Sequence, residues 1–534
     1  MTSRLESLLS FGKAPTPVEI RSALSQQLQR AGSESAPFPS REAIRDFYAK
    51  RGNRLVWTDE EGKLGGDAAS LLGVLHRAGE DGLDPGDYAI DHLEALEQKM
   101  REDPKGASAA QRIADFDLLG TTALFRFASD LATGRVHPSE VESDWHTKAT
   151  DVDVAGILGA AVDQHDLQHV VAKLRPPQPG YAQLRDALAK LQAEGAWTSV
   201  PPGRKLARGA VGPRVARLRE RLGAPPSPAR FDRTIVGLVR RFQGLHGIEP
   251  DGVVGAATLD ALNVPREERM RQVELNLERW RWIPRDFGDP HILVNIAGFD
   301  LEMEQQGADS WRTRVVAGKA FTPTPVFSDR IVAIVVNPHW NVPESIAVNE
   351  YLPELQKNRK ALAKEDLRLF QGSGDKEREL DPEAIDWTKV DPEHFPYQFR
   401  QDPGKKNPLG RLKFDLTNGY HVYLHDTPAG GVFGRADRGQ SHGCIRVQDA
   451  QELAARIMDD DAKEKMLEAL AQDEERRIEL KKRIPVHIFY WTAWVDDAEN
   501  LHFAPDVYDF DPPQQAALEK VSRKADTGAI ALYH

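Results

Sequence analysis

Ser441-His442-Gly443-Cys444-Ile445-Arg446 contains the only cysteine of this 534-residue chain. The thiolate is the reactive form of cysteine, and a nearby imidazole is the usual means of generating it. Upstream, Tyr420-His421-Val422-Tyr423-Leu424-His425-Asp426 alternates and predicts a strand. Its pattern places His421, Tyr423 and His425 on one face and Val422 and Leu424 on the other. A loop carrying Gly430, Gly431, Gly434 and Gly439 then returns the chain to Cys444. A lone cysteine without context is most often a small buried hydrophobe. The Ser, His, Gly and Arg neighbours of Cys444 shift the reading toward a Cys/His pair. A metal site is disfavoured. His421 and His425 are four residues apart, which on a strand separates them by roughly 13 Å, and there is no Cys-x-x-Cys.

Composition sets the frame. Hydrophobic residues near 40% and charged residues at 28% describe ordinary globular protein. The length predicts two to four domains. A net charge of −12 argues against a general binder of nucleic acid or anionic membrane. One cysteine permits no internal disulfide, which fits a reducing compartment or an oxidising one where a catalytic thiol must avoid mispairing. No run of 18 apolar residues exists, and the first 30 residues lack an apolar signal core.

Along the chain, residues 1–40 read as a polar linker, partly disordered, with a helix over 18–30. Residues 41–204 read as helical: Leu118, Leu119, Leu124, Phe125, Phe127 and Leu131 recur at helical intervals, and Gly82-Leu83-Asp84-Pro85 marks a helix end. Residues 205–265 form a compact unit. Val215, Leu218 and Leu222 share one helical face, and Ile235, Leu238, Val239 and Phe242 share another. Residues 266–511 carry strands at 292–296, 299–305, 312–317, 330–336 and 421–425, separated by Gly/Pro turns, as in a β-sandwich or mixed barrel. An insertion at about 351–408 breaks this pattern. It opens with charged, helix-prone residues (359–370) and continues through Gly372-Ser373-Gly374 and three Asp-Pro steps. A long insertion beside a catalytic strand reads as a lid. Residues 512–534 read as a helical or frayed tail.

The Ser-His-Gly-Cys motif with its upstream His closely resembles the signature of L,D-transpeptidases with a YkuD-type catalytic domain. Further stretches resemble the large multidomain Gram-negative (YcbB-like) branch: Asn276-Leu277-Glu278-Arg279-Trp280-Arg281-Trp282, Val315-Val316-Ala317-Gly318-Lys319, Thr322-Pro323-Thr324-Pro325, and Asn337-Pro338-His339-Trp340-Asn341-Val342-Pro343. Gln243 and Asp251-Gly252-Val253-Val254-Gly255 with Thr258 resemble the three-helix peptidoglycan-binding domain. The implied fold is multidomain α+β. It comprises a helical scaffold domain, a peptidoglycan-binding-like domain and a mainly-β catalytic domain with a helical and loop capping insertion.

The resemblance also implies roles. Cys444 is the nucleophile and His425 its base, with His442 the other candidate base. Gly443 and Cys444 supply oxyanion N–H groups, while Ser441 and His442 shape the site. The Asp426 carbonyl completes a triad. Arg446 braces the loop or a substrate carboxylate, and Tyr423, Trp340 and Asn341 line the substrate path. No cofactor or metal is called for. The implied substrates are peptidoglycan tetrapeptide stems, joined by 3→3 cross-links between meso-diaminopimelate residues, and carbapenems are implied covalent inhibitors. Other wall-synthesis proteins are candidate partners. The implied location is the periplasm, reached through an export signal or inner-membrane anchor absent from this chain. L,D-carboxypeptidase action and lipoprotein attachment use the same residues. A non-catalytic wall-binding scaffold is disfavoured by the Cys444/His425 pair, and a conventional cysteine protease by the lack of a downstream His-Asn context.

Overall fold

The computed structural model describes residues 13–30, 41–147 and 152–531. They fall into two compact units. One holds the helical residues up to Arg285 together with the chain from Thr492 onward; the other runs from Asp286 to Trp491, with Gly247–Glu249.

The helical unit is organised by the 25-residue helix Ala109–Thr133, whose apolar face is buried against helix Pro17–Arg30 and its neighbours. Its carboxylate Asp117 is fully buried. Asp117 accepts from the Tyr48 hydroxyl (2.7 Å) and from the Val56 and Trp57 N–H groups (2.8 and 2.9 Å). Burial raises its pKa to about 6. A second core, from Val200 to Leu262, gathers helices Pro213–Arg221, Arg233–Leu245 and Ala256–Asn263. Here the Phe-Gln and Asp-Gly-Val-Val-Gly pattern has a local cause. Buried Gln243 donates to Asp251 Oδ1 (2.7 Å) and the Val253 carbonyl (3.0 Å), and accepts from the Gly252 N–H (2.8 Å). Gly252 sits at φ +78°, a conformation L side chains rarely adopt.

Residues 276–282 were expected to open the catalytic region 266–511. They lie instead at the end of helix Arg266–Arg281, with Trp282 as its C-cap, in the helical unit. The reason is charge satisfaction. Glu278 and Arg281 are almost wholly buried and pair with each other at 2.8 Å; Arg279 pairs with Asp511 (2.6 Å) at the start of helix Asp511–Ala531. Asn276 bonds Thr492, whose hydroxyl also meets Arg279. Removing any one partner would strand a buried charge or dipole.

The second unit is a sheet with appended helices. Its strands are β1 (His291–Asn295), β2 (Asp300–Glu304), β3 (Trp311–Gly318), β4 (Phe327–Val336), β5 (Trp340–Asn341), β6 (Leu367–Gln371), β7 (Arg378–Leu380), β8 (Tyr397–Gln401), β9 (Leu412–Leu416), β10 (Leu424–His425), β11 (Gly439–Ser441), β12 (Ile445–Val447) and β13 (Arg476–Phe489). Nine of these form one sheet in the order β11-β3-β12-β10-β9-β4-β13-β1-β2. Because β2 also pairs with β3, the sheet closes on itself. The enclosed side chains include Ile292, Val294, Leu301, Val315, Ile331, Ile334, Phe414, Leu424, Ile445, Val486 and Ile488, all buried. Closure leaves only the short β11, paired to β3 alone, at an edge, so little further protection of the backbone groups is needed.

The insertion is more than helix and loop. The expected helix over 359–370 is reduced to Ala361–Lys364, and 367–371 is a strand. β5, β8, β6 and β7 make a separate four-stranded sheet. The alternating Leu367 and Leu369 turn into a private core with Leu352, Leu355, Leu362, Trp387 and Phe399. The intervening positions face outward, where Arg368 pairs with Glu379 and Arg400 with Glu377. Gly372 (φ +90°) turns the β6–β7 hairpin where an added Cβ would lie 2.5 Å from the Lys376 carbonyl oxygen. We call this element the cap.

Trp387 sits at the centre of the cap core, 1% exposed, its indole N–H on the Pro382 carbonyl (2.9 Å). Trp387→Ala should cost about 3–5 kcal/mol. Because the cap core is separate, proteolysis should accelerate within the cap while β1–β4 keep their amide protection. Equal loss of protection in both sheets would show that the cap is not an independent cooperative element.

Candidate active site

β10 and β12 run parallel in the register Leu424↔Ile445 and His425↔Arg446, so Tyr423 lies level with Cys444. The Ile445 N–H donates to the Tyr423 carbonyl at 3.1 Å and sets this register. Alternation then puts Tyr423, His425, Cys444 and Arg446 on one face of the pair. Cys444 and His425 stand on the diagonal, two residues along and one strand across, which is roughly 8 Å between Cα atoms. The ring centroids of Tyr423 and His425 are 5.7 Å apart. β9 adds Lys413, opposite His425 in the antiparallel register, with its ammonium 4.5 Å from the Tyr423 ring centroid.

The expected strand over 421–425 is shorter than predicted. Only Leu424 and His425 are in ladder geometry. Asn418 caps a turn by bonding the Tyr420 and Val422 N–H groups and the Val422 carbonyl, and His421 adopts φ +58°. His421 therefore leaves the face shared by Tyr423 and His425. Its carbonyl instead accepts from the Cys444 thiol at 3.8 Å.

His425 is 4% exposed, and its Nδ1–H donates to the Asp426 carbonyl at 2.6 Å. This fixes the tautomer and leaves Nε2 as the basic nitrogen. Asp426 is itself locked: its N–H donates to the Leu412 carbonyl and its carboxylate accepts from the Arg411 N–H, both at 2.8 Å. Burial lowers the His425 pKa to about 3, with Arg446 and Lys413 also opposing protonation. An imidazole that generated a standing thiolate would hold the thiol below its ordinary range, and burial acts the other way here. Burial pushes the Cys444 thiol up, and the Tyr423 N–H and hydroxyl, Lys413 and Arg446 offset only part of the shift. Both groups rest neutral: the thiol on the His421 carbonyl and, on the same face, the imidazole on the Asp426 carbonyl.

The turn before Cys444 is braced from the loop after β3. Buried Thr324 accepts from the Gly318 N–H (2.9 Å) and donates to the Gly443 carbonyl (2.8 Å). The Thr322 hydroxyl and the Lys319 N–H both reach the Ser441 carbonyl. Gly443 needs its φ of +109°. Ser441 Oγ accepts from the Gly443 N–H at 3.1 Å and donates to the Cys444 carbonyl at 2.5 Å. Gly443 was expected as an oxyanion donor, but its N–H is turned inward onto Ser441. The Cys444 N–H donates to no described residue and is the donor left at the sulfur.

The Arg446 guanidinium makes no hydrogen bond or ion pair with a described residue, and its Nε is buried without a partner. It braces no carboxylate of the protein. Trp340 and Asn341 lie in the cap: Trp340 packs on the cap core and Asn341 accepts from Arg400 at 3.0 Å. His442, of unknown direction in the sequence, bonds Glu350 Oε1 through Nε2 at 2.5 Å. Sequence reading missed Lys413 and Glu350, and named Thr324 only within a stretch that carries the resemblance, without its role at the turn. Lys413 had a signal, since Leu412-Lys413-Phe414-Asp415-Leu416 alternates cleanly; Glu350 had none.

Residues 289–480 match the family model described as "L,D-transpeptidase catalytic domain". Residues 42–188 match "Scaffold domain", and 216–262 match "Putative peptidoglycan binding domain". A Haemophilus influenzae protein named "Putative L,D-transpeptidase" is 31% identical over 243 residues, covering 45% of this chain. The match spans about half of that relative, 48%. Among solved structures, the L,D-transpeptidase (residues 123–326) of Xylanimonas cellulosilytica aligns at 14% identity and TM-score 0.17, covering 54% of this chain and 99% of that one. The chain carries an L,D-transpeptidase catalytic domain, and the order of its domains fits the multidomain branch.

The neutral imidazoles predict a pH response. His425 and His487 of this unit are buried, with pKa values lowered to about 3 and about 4. Unfolded, each takes a proton below about 6.5. Their contribution to stability is therefore present above pH 6.5 and is lost as pH falls from there toward 3–4. His425→Gln should flatten the loss of urea resistance between pH 7 and 4.5, read from amide protection of β10 and β12. An unchanged slope would mean that His425 is not held neutral by burial.

Proposed function

We propose that the chain is a cysteine-dependent L,D-transpeptidase acting on peptidoglycan, with Cys444 as nucleophile and His425 as its base. The observation that carries this reading is the single face on which the thiol, the oriented imidazole and an unpaired guanidinium meet, inside a domain that matches the catalytic family model.

In the proposed acylation, His425 Nε2 takes the thiol proton as sulfur attacks the carbonyl of the third residue of a tetrapeptide stem. The Asp426 carbonyl, already holding Nδ1–H, stabilises the imidazolium formed. The Cys444 N–H receives the developing oxyanion, a contribution of roughly 3–4 kcal/mol for one such donor in comparable sites. His425 then protonates the departing amine of D-alanine. Low basicity at His425 suits this acid step, because a buried imidazolium gives its proton up readily. Arg446 and nearby Lys413 supply positive charge where the donor's carboxylate would lie, and the absence of an internal partner for Arg446 favours substrate over a bracing role. In the second step an amine from another stem attacks the thioester. With the meso-diaminopimelate side chain as acceptor, the product is a 3→3 cross-link. We infer a periplasmic location, because the proposed substrate is found there.

Purified protein incubated with disaccharide-tetrapeptide should release D-alanine and form dimers, and Cys444→Ala should form none. Excess carbapenem should leave one covalent adduct per chain, localised to Cys444 by peptide mass spectrometry. Dimer formation by the alanine variant would exclude Cys444 as nucleophile.

A further inference from the structure

The reaction has two amines, and they need opposite treatment. The leaving amine must gain a proton, whereas the acceptor arrives as an ammonium and must lose one before it can attack. His425 suits the first task. It is buried and weakly basic, and Arg446 and Lys413 repel a cation from its face. A second imidazole stands two residues before the nucleophile. His442 is 32% exposed, and its Nε2 is held by the carboxylate of Glu350 at 2.5 Å. Its Nδ1 bonds no described residue. A carboxylate on one ring nitrogen and an open second nitrogen is the arrangement of an oriented general base.

Glu350 comes from the cap side of the unit. The helical turn Glu344–Ile346 widens into a π-turn over Ala347–Tyr351 before narrowing again at Leu352–Lys357. Such widened turns re-aim side chains and recur at functional sites. The charge around Glu350 is negative: Glu350, Glu354 and Glu365 all raise the pKa of Tyr351 toward about 12, after burial. Lys413 and Arg446 therefore act on Cys444, whereas His442 meets the carboxylate-rich cap. The first fits a donor carboxylate and the second an acceptor ammonium.

We propose that Glu350 and His442 form the acceptor site, in which His442 removes the proton from the incoming ammonium and Glu350 orients the ring and attracts the cation. The proposal rests on the transpeptidase reading. One ammonium proton passes to His442 and on to solvent. The freed lone pair forms the C–N bond at the thioester carbonyl. The second proton passes to His425 and then to sulfur as the C–S bond breaks, so the thiol and the new amide are both restored neutral.

The test separates the half-reactions. Acylation is followed by D-alanine release and the thioester by intact-protein mass spectrometry; transfer is followed by dimer formation at varied acceptor concentration. Glu350→Gln should lower the rate of transfer by about 100-fold, raise the acceptor KM and make the thioester accumulate. Glu350→Asp should recover part of the transfer rate. A merely structural latch predicts instead that D-alanine release and dimer formation fall together, without thioester accumulation, and that result would overturn the acceptor site. Failure of the wild-type protein to form any thioester from tetrapeptide would overturn the transpeptidase reading itself.

Discussion

The active face depends on one backbone contact, the Ile445 N–H on the Tyr423 carbonyl, which fixes the parallel register of two very short strands. A slip of one residue would turn Cys444 and Arg446 to the opposite side of the sheet from Tyr423 and His425. Two ladder positions alone could not resist such a slip. The register is held from outside. Leu424 and Ile445 are fully buried inside the closed sheet, and β9 and β3 flank the pair. The turn leading into β12 is pinned by Thr322 and Thr324. Asn418 fixes the chain entering β10.

Burial at this face sets the electrostatics. A thiol pushed up and an imidazole pushed down both favour neutral forms. Positive charge from Lys413 and Arg446 favours the thiolate form of Cys444 and opposes a charged His425. The same positive charge makes His425 a poor base for a cation. The Glu350–His442 pair occupies the opposite electrostatic setting.

The cap illustrates how composition misleads. Its charged, helix-prone run contains Leu367-Arg368-Leu369-Phe370, where alternation marks a strand. Pairing with β8 and burial against Trp387 and Phe399 outweigh local helix propensity, a weak preference that tertiary contacts override. The stretch at 276–282 shows the converse. It reads as a catalytic-region signature, yet its charged residues are consumed in buried pairs of the helical unit.

The sequence by itself determined the mixed helical and β organisation, the compact unit around Gln243 and Asp251–Gly255, most strands of the closed sheet, and the candidate thiol and imidazole. Those features follow from local rules: side-chain periodicity, glycine at positive φ, and the spacing of nucleophile and base along a strand and turn. Tertiary structure alone decided which N–H stays open at the sulfur, that Arg446 lacks an internal partner, that the thiol's pKa is raised rather than lowered, and that Glu350 meets His442 across 92 residues of chain. Each of these depends on burial or on a long-range pairing. Neither has a local period, because desolvation and Coulomb interaction depend on what the fold brings near and not on what lies adjacent along the chain.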